Sequence, residues 1–233
     1  MKEKIYLLPG LMCNERLWER VIPFLEDDYE LVHISIPNIS SFDQIVAILD
    51  ELFQEQRVNL FGFSFGAYIA SYYSVQYPEK VKRLFLNAGT PSQMSSKEVE
   101  KRTKMIELMK TLGFNGLSTK KVISLLEVSN QKDSQLISLI QKMYTDLGEE
   151  VYLSQMKTIN NRISLEQQLI ETNIPTRFFY STDDRLFTYE SLEYFTDQYT
   201  HITKVSRIGT SHMIPLEFPE ELSKQIHLWM NDA

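Results

Sequence analysis

The chain has 233 residues, 43% hydrophobic and 24% charged, which fits one α/β domain or a core carrying a small insertion. A formal net charge of −7 without any basic cluster argues against nucleic acid or an anionic membrane as partner. The single cysteine, Cys13, rules out an intrachain disulfide and suits a reducing, cytoplasmic setting.

The first ten residues, MKEKIYLLPG, read directly as a strand (5–8) and a turn, so no signal peptide is expected. No apolar run approaches the roughly 20 residues that span a bilayer. A helix over 14–25 and a strand over 29–36 follow. The next helix, 42–56, opens on a capping box, Ser41 with Gln44, and carries an apolar stripe at Ile45, Ile48, Leu49, Leu52 and Phe53. A strand at 58–61 gives way to a helix at 66–77 that Pro78 stops, and another strand covers 81–87. After a long gap the rhythm resumes with a strand at 176–181, a helix at 189–198, a strand at 202–206 and a helix at 219–230 that begins on Pro219. Strands alternating with helices, and strands apolar almost throughout, predict a mostly parallel six-stranded sheet with helices on both faces.

The gap, 90–173, contains helical periodicity and no convincing strand. One stripe runs through Val99, Arg102, Ile106, Met109 and Leu112 and ends near Gly113. A second takes Leu136, Leu139, Ile140, Met143 and Leu147 to Gly148, and a third takes Tyr152, Met156, Ile159 and Ile163. Helices of this length must pack on each other or on a core. The expected organisation is a core of 1–89 and 174–233 with an all-helical insertion, 90–173, between its fourth and fifth strands.

The segment NLFGFSFGAYIA holds the sharpest signal. Gly62, Phe63, Ser64, Phe65 and Gly66 match G-x-S-x-G between a strand and an apolar helix. A sharp strand-to-helix turn strains the central residue and needs small neighbours two positions away, which Gly62 and Gly66 supply. The plain alternative is a structural turn that happens to contain serine.

A serine hydroxyl is a weak nucleophile until a base takes its proton. Of the four histidines, His33 lies in an apolar strand, His201 at a strand start and His227 in an amphipathic helix, all places where packing suffices. His212 lies in the loop GTSH after the last strand, at the end of the sheet where parallel folds build sites. A carboxylate to orient it stands at Asp183 or Asp184, after the fifth strand. Cys13 has no basic neighbour to activate it and reads as a small buried residue. No His/Cys/Asp spacing suggests a metal, and no glycine-rich loop suggests phosphate binding, so no cofactor is expected.

These segments together resemble the α/β-hydrolase superfamily across nearly the whole chain. GFSFG resembles the nucleophile elbow, LLPGLMCN the oxyanion loop, STDD the acid turn, and GTSHMIPLEFPEEL the histidine loop with its trailing helix. Within the superfamily the chain is most similar to lid-bearing esterases of the pimeloyl-carrier methyl ester esterase type. The family's acid turn usually reads Gly-x-x-Asp, which maps Ser181 onto the glycine and Asp184 onto the acid. Three departures stand out: the leading two-strand hairpin is not expected, Pro9 replaces a common histidine, and Ser181 replaces glycine.

The resemblance implies a strand order of 2-1-3-4-5-6, with a crevice where the connections after strands 1 and 3 diverge. It also implies a triad of Ser64, His212 and Asp184, with the backbone N–H groups of Leu11 and Phe65 as oxyanion donors. The insertion then becomes a lid over Ser64, whose Met105, Met109, Met143 and Met156, together with Phe63, would line an apolar substrate site. The motif loops hold no arginine pair to clamp an anion, so the expected substrate is an uncharged carboxylic ester or thioester with a short to medium acyl chain. Three other readings use the same residues. They are a carbon–carbon bond hydrolase or lyase, a ligand receptor with little turnover, and a non-catalytic partner-binding protein.

Overall fold

A computed structural model describes residues 2–54 and 57–231. Six strands, β1 (Glu3–Leu8), β2 (Tyr29–His33), β3 (Val58–Phe63), β4 (Val81–Asn87), β5 (Thr176–Ser181) and β6 (Ile202–Arg207), form one sheet in the order β2-β1-β3-β4-β5-β6. Every pairing is parallel. β2 lies on one side of β1 and β3 on the other, so the chain leaves β1 and β3 in opposite directions. That divergence opens the crevice.

The period-two alternation of the strands divides the core. Tyr6, Leu8, Leu60, Leu84, Leu86 and Phe178 face α1 (Phe42–Phe53) and α2 (Phe65–Gln76). Ile5, Leu7, Phe61, Phe63, Phe85 and Phe179 face the other way, against α8 (Pro219–Asn231), whose Leu222, Ile226 and Trp229 are buried there. Each such side chain contributes about 1.5–3 kcal/mol through its removal from water.

Between β4 and β5 the described residues are helical or irregular. The helices are α3 (Ser96–Leu112), α4 (Thr119–Ile123), α5 (Ser134–Asn160) and α6 (Glu166–Glu171), and α7 (Ile214–Glu217) follows β6. α3 ends at Gly113 (φ 82°), and α5 is broken at Gly148 (φ 76°, ψ −175°), where the sequence places its stops.

Four expectations need correction or limits. The helix expected over 14–25 is two 3-10 turns, Glu15–Trp18 and Ile22–Phe24, because Asn14 caps the first and Pro23 disfavours α-helix at Ile22. The helix over 189–198 is a 3-10 segment, Tyr189–Tyr194, whose first residue is tied to the chain after β5. The strand over 29–36 ends at His33, with one further bond from Ile34 N–H to Leu7 O, before Pro37. In the helix over 42–56, α1 stops at Phe53, Gln54 adopts φ 56°, and positions 55 and 56 lie outside the described residues.

Candidate active site

Ser64 stands between β3 and α2 with φ 53° and ψ −111°, a backbone state that ordinary side chains avoid. Its N–H donates to Asn87 O at 2.8 Å, and its carbonyl accepts from Ala67 N–H at 3.0 Å. The flanking glycines are a steric requirement. A Cβ on Gly62 would fall on the backbone of Gly66 and Ala67, and one on Gly66 on the carbonyls of Leu8 and Pro9.

His212 is 5% exposed, and its Nε2 lies 3.0 Å from Ser64 Oγ. Its Nδ1 lies 2.7 Å from Oδ2 of Asp184, which is 1% exposed. The other Asp184 oxygen accepts from Leu186 N–H at 2.9 Å. Asp183 is exposed and accepts from Thr182 Oγ1 at 2.8 Å. The structure thus separates the two aspartates that the residues alone leave open. A hydroxyl bonded to an imidazole, itself bonded to a buried carboxylate, can lose its proton as the oxygen attacks an electrophile.

The other three histidines are engaged or placed elsewhere. Trp18 Nε1 donates to His33 Nδ1 at 3.1 Å, and burial lowers the His33 pKa. His227 Nδ1 meets Tyr29 Oη at 3.3 Å, and His201 Nε2 is buried without a partner.

Ser181, where the family has glycine, has a structural use. Its hydroxyl donates to Ser211 O at 2.6 Å and so joins the turn before Asp184 to the loop before His212. Further ties come from residues with no local sequence signature. Glu127 accepts from Thr210 N–H at 3.0 Å, Thr210 Oγ1 at 3.1 Å and Arg207 Nη1 at 3.2 Å. Burial alone would raise the Glu127 pKa, but bonds from Thr210, Val128 and Arg207 outweigh it and hold it below the usual carboxylate value. Glu217 accepts from Ser211 Oγ, from Glu127 N–H at 2.9 Å and from Asn130 Nδ2 at 2.9 Å, while burial raises its own pKa. His212 N–H donates to Leu125 O at 2.8 Å. The histidine loop therefore rests on residues 125–130, between α4 and α5.

The loop after β1 packs against Ser64, since a Cβ on Gly10 would meet Ser64 Cβ at 3.3 Å and the Phe63 ring at 2.9 Å. Among the described residues, the N–H groups of Leu11 and Phe65 donate to no other group of the protein. Met12 adopts φ 54°, and its N–H donates to Gln155 Oε1 at 2.9 Å, a buried bond from the insertion. Burial pushes the Cys13 thiol up to about 12, which leaves it inert.

Of the five residues expected to line a substrate site, Phe63 lies beside the triad, its ring centroid 5.3 Å from that of His212. Met143 is buried in the same core cluster as Cys13, Leu17 and Met213. Met156 is buried and accepts from Arg102 Nη1 at 3.4 Å, and Met109 is buried on α3. Met105 is 42% exposed in a depression lined by α3 residues alone, so the structure does not bring it to Ser64. Among the described residues, no group of three or more His, Cys, Asp or Glu could hold a metal, and no helix is long and apolar enough to cross a membrane.

The family model for the alpha/beta hydrolase fold matches residues 5–219, and the chain belongs to that family. No curated protein sequence matches it. Among solved structures, an esterase from Thermogutta terrifontis superposes with a TM-score of 0.84 at 19% identity, covering 99% of this chain and 90% of that one. An enol-lactonase from Burkholderia xenovorans gives 0.83 at 14% identity, covering 100% and 92%. A carboxylesterase study of Nitrososphaera gargenis gives 0.81 at 16%, covering 98% and 90%. At such identities these likenesses speak to the fold.

Proposed function

We propose that the protein is a serine hydrolase that cleaves a small to medium carboxylic ester or thioester through an acyl-enzyme on Ser64. The observation that carries this reading is the pair of bonds from Ser64 Oγ to His212 Nε2 at 3.0 Å and from His212 Nδ1 to Asp184 Oδ2 at 2.7 Å. As Oγ attacks the ester carbonyl, His212 takes its proton. Asp184 fixes the imidazole with Nδ1 protonated and stabilises the imidazolium. The carbonyl oxygen becomes an oxyanion, met by the N–H groups of Leu11 and Phe65, each worth about 10²–10³ in turnover. His212 then protonates the departing alkoxide or thiolate. In the second half it takes a proton from the water that attacks the acyl carbon and gives it to Ser64 Oγ as the acid departs. No cofactor enters the scheme.

Residues 90–173 act as the lid, on a core of 1–89 and 174–233, and Phe63 forms an apolar wall beside the nucleophile. The single buried cysteine suits a cytoplasmic enzyme. A series of p-nitrophenyl esters from acetate to decanoate tests the activity and its acyl site together. Turnover should rise from acetate to a short or medium chain, with each buried methylene adding about 0.8 kcal/mol of binding, and then fall. Ser64→Ala should abolish it. No ester turnover by the folded protein, or turnover that survives Ser64→Ala, contradicts the reading. A steady fall from acetate onward removes the acyl pocket.

A further inference from the structure

Two arginines of the insertion, Arg102 on α3 and Arg162 just after α5, are half-buried. Among the described residues neither is ion-paired. Arg162 Nη2 donates to Thr90 O at 2.6 Å, its guanidinium lies 4.2 Å over the Tyr68 ring, and its Nε is buried without a partner. Among the described residues Arg102 donates only to the Met156 thioether, a weak acceptor. Burial lowers both pKa values, that of Arg162 to about 10, and a guanidinium stays protonated near neutral pH. Glu98, one turn before Arg102 on α3, acts on both arginines and Glu166 acts on Arg162, but neither carboxylate lies within ion-pair distance of them, and both hold serines. Glu98 accepts from Ser95 N–H and Oγ at the start of α3, and Glu166 accepts from Ser164 and Ser191.

A partly desolvated cation without a carboxylate in contact is costly, and two that repel each other are more so. Two phenols nearby could donate to an anion held between the arginines. The phenols of Tyr144 and Tyr152 act on Arg102, and among the described residues neither hydroxyl has a hydrogen-bond partner in the protein. Each arginine is tied to a segment that adjoins the elbow or the loop after β1. Thr90, which holds Arg162, follows Gly89, where a Cβ would meet Ser64 O at 2.6 Å. Met156, which holds Arg102, follows Gln155, which holds Met12 in the loop after β1.

We infer that Arg102 and Arg162 form an anion subsite of the substrate pocket, so that the ester cleaved at Ser64 carries a free carboxylate. This rests on the reading of the site as an esterase, and it replaces the uncharged substrate expected from the sequence. That expectation looked for an arginine pair in the motif loops, whereas this pair comes from two parts of the insertion distant in sequence.

The test is calorimetric titration of the Ser64→Ala protein with monomethyl and dimethyl esters of linear diacids from succinate to suberate. At least one half-ester should bind about tenfold or more tightly than its dimethyl partner, the advantage of a charge-assisted bond. That ratio should shrink as sodium chloride is raised. Arg102→Gln and Arg162→Gln should each bring it toward parity by weakening half-ester binding more than dimethyl binding. No half-ester preference at any length, or a preference that survives both substitutions, overturns the subsite. Should a Gln variant not fold, a preference in the parent protein that is insensitive to salt overturns it equally. Ser64→Ala does not turn over, so the outcome is independent of Ser64 reactivity. A half-ester preference without reactive Ser64 would keep the subsite and lose the hydrolase, and the reverse result would do the opposite.

Discussion

Ser64 holds φ 53° at a cost of about 1–3 kcal/mol, and the fold sustains it through Gly62, Gly66 and the bond to Asn87 O. That strain was legible, because G-x-S-x-G between a strand and a helix has a steric meaning. The choice of aspartate was not legible from the residues, because two adjacent carboxylates give one pattern. Only the resemblance selected Asp184. In the structure burial distinguishes them, with Asp184 1% exposed against His212 and Asp183 at the surface. Asp184→Asn should therefore fold normally and lose about 10⁴ in turnover, as a mis-set imidazole does. Asp183→Asn should lose little. Steady-state kinetics on the two variants with circular dichroism as the folding control decides it, and a reversed pair of results would contradict the proposed triad.

The elements that carry the site are held by bonds between segments far apart in sequence. Glu127, from the short 3-10 region before α5, bonds the histidine loop through Thr210 and Arg207. No periodicity or motif could have shown this, since the partners are some 80 residues apart. Glu127 should act as a positioning residue. Its carboxylate is held below the ordinary value of 4.5, so its contribution to stability is present above that value and is lost as pH falls through the lowered one. Glu127→Gln should cost about 1–2 kcal/mol at neutral pH. It should also lower kcat by about ten- to a hundredfold with KM little changed. Denaturant unfolding of both proteins from neutral to acid pH should show the gap closing toward acid. A gap that widens there would contradict the assignment.

At the scale of the whole molecule the helical segment between β4 and β5 packs into both faces of the sheet. Ile159, Leu165, Leu169 and Ile170 join the cluster with α1 and α2, while Val122, Leu126, Leu136, Ile140 and Met143 join the cluster with α8. The sheet was readable because its strands are apolar almost throughout, and the long stripes of α3 and α5 declared themselves by period. α4 and α6, of 5 and 6 residues, are too short to show one. Which side chains face Ser64 was not readable either, because a buried methionine that packs a core and one that walls a pocket share the same pattern. Met143 and Met105 make the point, one enclosed in the core and the other open on α3.

The proposed hydrolase requires one serine that is raised, activated and supplied with oxyanion donors. Labelling with a fluorophosphonate probe, followed by peptide mass spectrometry, tests it most directly. One adduct is expected, on Ser64, which disappears in Ser64→Ala and becomes very slow in His212→Ala. Label on another serine, or none in a folded sample, would contradict it.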